Sequence, residues 1–414
     1  MRTELPKTGT EWPLLAERMG DYAVNDVQWR DGKASVYIFH SGDDVMQVAH
    51  DAYGMFIAEN GLGPAAFPSL KRMESEVINM ALGLQQAPED AAGGMTSGGS
   101  ESILLAIKSC RDHAYANGRQ GQLEIVAPYS VHPAFDKGAQ LMGMRVVRVP
   151  CGSDYRADVA AMAAAVTEQT AMLVGSAPCF PYGVIDPIEA LGALAEERGV
   201  WLHVDACVGG YINPFLRMVD PDGGPEPYDF SIPGVSSMSL DLHKYGYAAK
   251  GASTVLYRDK ELRSHQAFDF DDWPCGRMYT PTFAGTRPGG AISAAWAVMN
   301  YLGEAGYAAR AEQVLNARRQ LTEGVVNLGL QVYGDPRSSI VAFGWDNGDI
   351  LAVGEGLYEE GWFSSRLRDP DGIQLMISPE HIKTMPNYLK VLEKMVEEVR
   401  LGKRIRRAGN VSYS

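Results

Sequence analysis

The sequence predicts an α/β fold with a mainly parallel β-sheet, followed by a smaller α/β unit. Between about residues 90 and 260, short apolar segments alternate with amphipathic ones, which is typical of a parallel sheet covered by helices on both faces. The chain has 414 residues, 46% of them hydrophobic and 21% charged. That length and composition are sufficient for two domains with a large core. After residue 330 the same alternation recurs on a smaller scale.

Each predicted element rests on its pattern of apolar residues. In the larger region we place strands at 123–127, 145–149, 171–175, 200–204, 235–240 and 253–257. Helices fit between them at 99–116, 132–142, 156–166 and 187–198. Because ligands of such sheets bind beyond the carboxyl ends of the strands, functional residues are expected there.

The chain divides into three predicted regions: an N-terminal arm (1–65), a large domain (66–305) and a small C-terminal domain (306–414). The arm contains a helical pattern that ends at a turn rich in Gly and Pro. Helices at 289–304 and 307–327 lead into the small domain. Its predicted strands lie near 330–333, 339–343 and 373–377, and its helices near 349–360 and 385–401.

Charge and composition exclude several function classes. The formal net charge is −14, so nucleic acid and anionic membranes are poor candidate partners. The five cysteines form no closely spaced pair, which argues against a disulfide framework, and we expect no metal site. The start of the chain lacks the apolar core of a signal peptide, and no apolar run reaches the ~18–20 residues of a membrane helix. We therefore expect a cytoplasmic protein without a membrane span.

Two residues of the large domain point to a cofactor. Asp205 ends the apolar strand WLHVD, and Lys244 follows downstream in the polar segment DLHKYGY. Pyridoxal phosphate (PLP) requires a lysine amine for a Schiff base and a carboxylate that keeps its ring nitrogen protonated. A structural salt bridge or a cap at Asp205 and an ordinary exposed lysine at Lys244 are the alternatives. If the assignment holds, the aromatic surroundings should lower the pKa of Lys244.

Other segments fit the same cofactor less specifically. Gly99 and Ser100 lie in a small-residue loop at the start of a helix, where backbone N–H groups bind phosphate. For this loop taken alone, a capped helix with a flexible turn is the favoured interpretation. His132 follows a strand and could stack on a cofactor ring, although a lone histidine is more often a packing residue. Lys250 could bind an anion.

Taken in order, these segments resemble the group II PLP-dependent decarboxylase superfamily, and within it the sphingosine-1-phosphate lyases of the soluble bacterial type. The similar stretches are TSGGSES, VHPAFDKGAQ, GSAPCFPYGVIDPI, LHVDACVGGY, DLHKYGYAAKGASTVLYRD and AGTRPGG. They extend over nearly the whole chain, and several motifs in a fixed order are far more specific than any one alone.

The resemblance implies a fold-type I enzyme with a seven-stranded sheet, acting as a homodimer with shared active sites. It implies Lys244 as the Schiff-base lysine, Asp205 as the partner of the ring nitrogen and His132 as the stacking residue. It also implies that Gly99, Ser100 and His243 hold the phosphate, and that Thr286 reaches over from the neighbouring subunit.

The departures from the family pattern concern the substrate. The loop beginning at Asn60 carries Gly63 where the family has a histidine, and Phe39 stands in place of a tyrosine that helps bind the substrate phosphate, with Tyr37 nearby. The motif F-P-H-G is here F-P-Y-G, with Tyr182. Since charge-assisted bonds are the strong ones, we expect weaker phosphate binding, and sphingosine-1-phosphate itself is not the expected substrate.

Two arginines are a further departure. Arg366 stands where the family usually has a small or uncharged residue, and Arg368 follows two positions later. An arginine fork could bind a substrate carboxylate, although an exposed solvated side chain is the commoner role of an arginine.

The sequence therefore predicts a PLP-dependent carbon–carbon lyase that acts on a small-molecule amine by retro-aldol cleavage. Tyr182, Tyr245 and His132 are candidates for proton transfer. Phe39, Asn60, Gly63, Lys250 and Arg366 are candidates for substrate binding. The main alternative is α-decarboxylation of an amino acid, which requires the same cofactor residues but aligns a different bond with the ring. A PLP-binding protein without turnover is the second alternative.

Overall fold

A seven-stranded sheet forms the centre of the computed structural model, which describes residues 2–406. Its strands are β1 (Ala92–Thr96), β2 (Glu124–Pro128), β3 (Arg145–Val149), β4 (Thr170–Ser176), β5 (Trp201–Asp205), β6 (Val235–Leu240) and β7 (Ser253–Tyr257). The strand order is β1-β7-β6-β5-β4-β2-β3. Only β7 runs antiparallel to its neighbours in this sheet. The prediction of an α/β fold with a mainly parallel sheet is confirmed.

The central strands are buried along their whole length, as their continuous apolar sequences predict. Successive residues of a strand point to opposite faces of the sheet, so alternate side chains pack in different hydrophobic clusters. In β4, for example, Leu173 joins one hydrophobic cluster, whereas Met172 and Val174 join another. Helices therefore cover both faces of the sheet.

Helices fill the remainder of the large region. They are α1 (Trp12–Tyr22), α2 (Asp43–Met55), α3 (Pro68–Leu84), α4 (Gly99–Ala116), α5 (Ala134–Leu141), α6 (Val159–Ala165), α7 (Ile188–Arg198), α8 (Asn213–Val219) and α9 (Lys260–Ser264). A small hairpin, β8 (Phe268–Phe270) and β9 (Met278–Thr280), follows α9. Then α10 (Gly289–Asn327) runs towards the C-terminal unit with a break at Gly303, near the boundary predicted at residue 305.

The C-terminal unit contains an antiparallel sheet of order β10-β11-β13-β12, formed by Gln331–Val332, Ile340–Gly344, Asp371–Met376 and Ser365–Arg368 in that order. Helices α11 (Ile350–Glu359) and α12 (His381–Arg400) complete it. The N-terminal segment joins this unit, because Ser35 exchanges backbone hydrogen bonds with Phe363 and Met376. The proposed domain boundaries remain predictions, and residues 407–414 of the third region lie outside the described residues.

Two elements that shape the site were not predicted, namely β1 and β12. β1 contains two glycines and has little apolar character (AGGMT), and β12 carries two arginines in four residues (SRLR). Between residues 2 and 406, no helix combines the length and the apolar composition needed to cross a membrane.

Candidate active site

The predicted cofactor residues meet at one edge of the large sheet. Asp205 is the last residue of β5, Asp241 directly follows β6, and the loop after β1 leads into α4. These strand ends share an edge because β1, β5 and β6 run in the same direction. A cavity of about 520 Å³, which we call the cofactor cavity, opens there, and its wall includes Lys244 and His132. The placement agrees with the general position of ligands in α/β sheets.

Lys244 is held by a carboxylate that the sequence analysis did not select. Its Nζ lies 2.9 Å from Oδ2 of Asp241, three residues earlier. Asp241 is almost fully buried, and its Oδ1 has no hydrogen-bond partner within residues 2–406. The pair anchors the lysine at the cavity wall.

The expectation of a lowered pKa for Lys244 is wrong for this arrangement. Burial is the largest single influence and would lower the pKa of the amine. The charge and hydrogen bond of Asp241, together with Cys207 and Asp205, jointly outweigh burial, so the pKa of Lys244 is raised. Burial likewise opposes ionisation of Asp241, yet the Lys244 ammonium keeps the pKa of that carboxyl below its ordinary value. The two groups therefore form an ion pair that retains a proton on Lys244.

Asp205 is a buried carboxylate whose charge could be balanced by a cationic group in the cavity. Its Oδ1 accepts hydrogen bonds from the Cys207 backbone N–H at 3.0 Å and from the Ser239 hydroxyl at 3.3 Å. Within the described chain, Asp205 has no lysine, arginine or histidine at ion-pair distance, so the structural salt bridge considered as an alternative is absent. A buried carboxylate without a counter-charge is costly, and a protonated ring nitrogen in the cavity would supply that charge.

The N-terminus of α4 approaches the ion pair so closely that only glycine fits at its first position. A Cβ on Gly99 would lie 2.7 Å from Sγ of Cys207 and 2.8 Å from Oδ2 of Asp241. Ser100 also lines the cavity. The helix N-terminus thus presents backbone N–H groups beside the lysine, as a phosphate site requires.

His132 lies on the cavity wall with a defined tautomer. The backbone N–H of Ala134 donates to its Nδ1 at 3.1 Å, so in the neutral ring the proton resides on Nε2. Burial, opposed in part by the Asp205 charge, lowers the pKa of His132. At neutral pH the ring is therefore an Nε2–H donor rather than a base.

His243 and Lys250 line both this cavity and a second, neighbouring one. His243 Nδ1 lies 2.7 Å from the carbonyl oxygen of Ala252. Nζ of Lys250 donates to the carbonyls of Tyr37 at 3.0 Å and His243 at 3.3 Å. Burial and the nearby Lys244 ammonium lower the pKa of Lys250 to about 8. Lys250 is thus a cation that titrates close to neutral pH.

Two further cavities adjoin the cofactor cavity. One has a volume of about 570 Å³ and a mainly apolar wall formed by the arm, α2 and the segment after Lys244, and it shares Phe39, His243 and Lys250 with the cofactor cavity. The other has a volume of about 770 Å³ and shares Ser100, His132 and Phe180. We call it the basic cavity, because its wall carries four basic side chains: Lys137, Arg148, Arg366 and Arg368. Substrate groups of opposite character can therefore be accommodated on the two sides.

Some predicted residues do not line the cofactor cavity. Tyr245 is fully buried, and its hydroxyl donates to the Ile377 carbonyl at 2.9 Å. Tyr182 lines the basic cavity and donates to the Asp369 carbonyl at 2.5 Å, and burial raises its pKa. Because each hydroxyl donates its proton to a backbone carbonyl, neither phenol is suited to act as a general base.

Asn60, Gly63 and Thr286 do not line the cofactor cavity of their own chain, although Thr286 lines a small cavity that shares Ser97, Glu101 and Gly251 with it. The Asn60 amide donates to the Thr286 hydroxyl at 3.3 Å, and its carbonyl oxygen accepts from the Leu62 and Arg287 backbone. Gly63 accepts two backbone hydrogen bonds in the adjacent turn. Asn60 and Thr286 are thus in contact just before α10 begins, and Gly63 lies three residues after Asn60 in the same loop.

Sequence reasoning did not select Asp241, Cys207 or Tyr37 as site residues, although all three line the cavity. The i, i+3 spacing of Asp241 and Lys244 after a buried strand was a usable signal. The contact of Cys207 with Gly99 was not, because it joins segments that are distant in sequence.

PLP fits the residues present. One wall offers a lysine for the Schiff base, a buried carboxylate without a counter-charge stands at a strand end, and the helix N-terminus beside them has no room for a Cβ at Gly99. These are the covalent, ring-nitrogen and phosphate contacts that the cofactor needs.

Comparisons with known proteins agree with this geometry. The family model described as the pyridoxal-dependent decarboxylase conserved domain matches residues 2–344. A sphingosine-1-phosphate lyase of Arabidopsis thaliana is 41% identical over 405 residues, which is 96% of this chain and 74% of that protein. A probable L-tyrosine/L-aspartate decarboxylase of Methanothermobacter thermautotrophicus is 34% identical over 354 residues, covering 86% of this chain and 94% of the relative.

Among solved structures, the sphingosine-1-phosphate lyase of Burkholderia pseudomallei superimposes with a TM-score of 0.93 at 34% identity, covering 97% of this chain and 94% of that one. The predicted fold type and dependence on PLP are thereby confirmed.

Proposed function

The chain belongs to the pyridoxal-dependent decarboxylase family and is a PLP-dependent lyase, and from this premise we propose that it cleaves the Cα–Cβ bond of a β-hydroxy amine. The products are an aldehyde and a shortened amine. The observation that carries the proposal is the convergence of Lys244, Asp205 and the Gly99 turn on one cavity. The similarity to sphingosine-1-phosphate lyases over nearly the whole chain favours this bond over the others at Cα.

When bound, PLP would supply the electron sink that accepts the electron pair of the broken bond. Lys244 would hold the cofactor through its amine. Asp205 would accept a hydrogen bond from the ring nitrogen and keep it protonated. Gly99, Ser100 and His243 would hold the phosphate through backbone N–H groups, a hydroxyl and an imidazole.

Lys244 and Asp241 are the pair best suited to carry the proton that the reaction moves. The β-hydroxyl loses a proton as the aldehyde forms, and Cα gains one as the amine product forms, so no net proton is consumed. In its neutral form, the Lys244 amine beside Asp241 would accept the first proton, because Asp241 favours protonation of that amine, and would return it at Cα. His132, whose Nδ1 accepts from Ala134, would instead donate through Nε2 and orient the substrate.

The two side cavities would bind the remainder of the substrate. Lys250 would hold an anionic group of the substrate, and Phe39, at the entrance of the apolar cavity, would contact an apolar portion. Arg366, on the basic cavity, would bind a carboxylate or a second anionic group. Tyr182 would shape this side, since its hydroxyl is already committed to a carbonyl.

We also propose that the enzyme is a homodimer whose partner completes the site. Asn60, Gly63 and Thr286 do not line the cofactor cavity of their own chain, in keeping with a role at the neighbouring site. Helix α1 supports the proposal, because none of its residues is buried although Trp12, Leu14 and Met19 are large and apolar. Sedimentation analysis of the holoenzyme tests it, and a monomer at micromolar concentration would contradict it.

Product analysis tests the reaction. The holoenzyme is incubated with β-hydroxy amines that carry or lack a phosphate and with the corresponding β-hydroxy amino acids. Aldehyde formation in equal amount to the amine product supports the lyase. Carbon dioxide without aldehyde would refute it and establish the second candidate, α-decarboxylation of an amino acid.

The second candidate is favoured by one observation, the position of Arg366 and Arg368 beside the cofactor cavity. If a carboxylate binds there to be cleaved, Arg366→Ala should reduce carbon dioxide release. If the arginines only hold a substrate group that survives the reaction, Arg366→Ala should raise KM for acidic substrates and leave the aldehyde as product. Arg198→Ala is the control, because Arg198 pairs with Glu197 at the surface.

A further inference from the structure

Three side chains of types that commonly bind metals lie together at the edge of the large sheet where β4, β5 and β6 begin. The cofactor residues lie at the opposite edge, where these strands end. The three side chains belong to His113 in the last turns of α4, Glu261 in α9, and His265 directly after α9. One ligand atom from each residue lies within 4.8 Å of the other two. Neither the family comparison nor the proposed reaction assigns any role to these residues.

Both imidazoles point a nitrogen at the same carboxylate oxygen. Nε2 of His265 lies 3.1 Å from Oε1 of Glu261, and Nδ1 of His113 lies 3.4 Å from it. Around a tetrahedral zinc ion with bonds of about 2.0–2.1 Å, neighbouring ligand atoms lie roughly 3.3 Å apart. Two of the three spacings are therefore already those of a metal site, and the third, between the two histidines, is within 4.8 Å.

The rings are arranged so that a shared ion can reach both. Their centroids are 5.3 Å apart and their planes are inclined at 82°. His113 packs edge-on against Trp201, which restricts its rotation, and Glu261 and His265 are four residues apart on adjacent turns. A simple ion pair needs one histidine, so the convergence of two on a single oxygen calls for a further cause.

Against the expectation from cysteine spacing that there is no metal site, we propose that His113, Glu261 and His265 bind a divalent transition-metal ion of the zinc class, with solvent completing the coordination. Two imidazole nitrogens and one carboxylate oxygen suit Zn²⁺, Co²⁺, Ni²⁺ or Cu²⁺, whereas Mg²⁺ and Ca²⁺ prefer all-oxygen sites. The ion replaces any proton shared between the rings and Glu261, because only neutral imidazole coordinates a metal.

The position indicates a structural role. The adjacent cavity of about 430 Å³ is lined by His113 and by residues at the starts of β4, β5 and β6, including Trp201, whereas Asp205 ends β5. His113 and Gly99 lie fourteen residues apart on α4, which corresponds to about 21 Å along the helix. An ion here would link α4 to α9 without touching the reacting groups.

Zinc titration of the tag-free holoenzyme, after dialysis against a chelator, tests the proposal. We expect one Zn²⁺ per chain by equilibrium dialysis with elemental analysis, and a melting temperature that rises with zinc concentration. His113→Ala and His265→Ala should each weaken binding at least about tenfold, since even supporting residues of metal sites have effects of this size. Both variants should keep the visible absorbance of bound cofactor and the turnover rate.

The matched control is His50→Ala, because His50 forms an exposed pair with Asp51 at 3.1 Å that offers only one histidine. His265→Gln is a second variant that can still donate to Glu261 but is a poor ligand, so it separates loss of metal from loss of folding. Zinc binding that is equal in wild type, His265→Gln and His50→Ala would overturn the proposal, as would equal affinity for Mg²⁺.

Discussion

The cofactor side and the substrate side of the active site are built in different ways. The cofactor side consists of buried groups at consecutive strand ends, with Asp205, Asp241 and Lys244 held by short hydrogen bonds. The substrate side is assembled from the arm and the C-terminal unit, where Arg366 is exposed on a cavity wall. The first side tolerates little change because each group depends on a neighbour. The second can vary one side chain at a time, so we expect specificity to be set there.

This difference predicts a graded response to mutation. Substitutions on the cofactor side should abolish or strongly impair both cofactor binding and turnover, whereas those on the substrate side should alter KM and its pH dependence. A substrate-side variant that lost the cofactor would break the distinction.

The largest effect is expected for Lys244→Ala. Without the amine there is no covalent link to PLP and no proton carrier at Cα, so kcat should fall by at least about a thousandfold. Reduction with borohydride should no longer attach the cofactor to the chain, as peptide mass analysis will report. Lys260→Ala is the control, because Lys260 forms a surface pair with Asp90. Retained covalent trapping in Lys244→Ala would disprove the assignment.

Asp205→Asn should have the next largest effect. The amide has a similar shape but no charge, so it cannot keep a ring nitrogen protonated, and kcat should fall about 10²- to 10⁴-fold with the cofactor still bound. Asp229→Asn removes another buried carboxylate, one that pairs with Arg217 at 3.2 Å. That variant should lose stability but keep the cofactor spectrum. Similar spectra and kcat in wild type and Asp205→Asn would count against the role of Asp205.

Gly99→Ala tests the close approach of α4 to the ion pair. The added methyl group would lie 2.7 Å from Cys207 Sγ and 2.8 Å from Asp241 Oδ2, so it should displace the helix start and weaken PLP binding by about tenfold or more, in line with overpacking costs of about 1–3 kcal/mol. At Gly98 the nearest atom to an added Cβ is 3.7 Å away. Gly98→Ala should therefore bind PLP much more tightly than Gly99→Ala in fluorescence titrations, and equal affinities would contradict the steric argument.

The same contrast explains what the sequence could and could not predict. β5 (WLHVD) is mainly apolar, and β6 (VSSMSL) is a buried strand that contains three serines. Both strands were placed from the sequence, as were the cofactor residues Asp205 and Lys244. Asp241 was overlooked because its partnership with Lys244 requires knowledge of side-chain direction. β12, which carries Arg366, is too polar to be recognised as a strand, and its position beside His132 depends on tertiary packing. The pairing of His113 with α9 is likewise invisible in sequence, since it joins segments about 150 residues apart.

The smallest effect is expected at Lys250, and it is the one that best sharpens the comparison. Burial and the Lys244 ammonium lower the pKa of Lys250 from its ordinary value of 10.5 to about 8. Burial, the larger cause, also acts in the holoenzyme, so we expect Lys250 to be charged at neutral pH and to lose its charge as the pH rises through about 8. For an anionic substrate, KM should rise above pH 8 while the cofactor absorbance stays constant.

Lys250→Met removes the charge at every pH. A charge-assisted hydrogen bond contributes about 1.5–3 kcal/mol, so KM at pH 7 should increase about tenfold or somewhat more, and its rise above pH 8 should disappear. Lys250→Arg keeps a charge that does not titrate in this range and should hold KM low beyond pH 8. If KM depends on pH in the same way in wild type and Lys250→Met, the anion is bound elsewhere. The basic cavity around Arg366 then becomes the site to test, because it is a cationic surface that adjoins the cofactor residues.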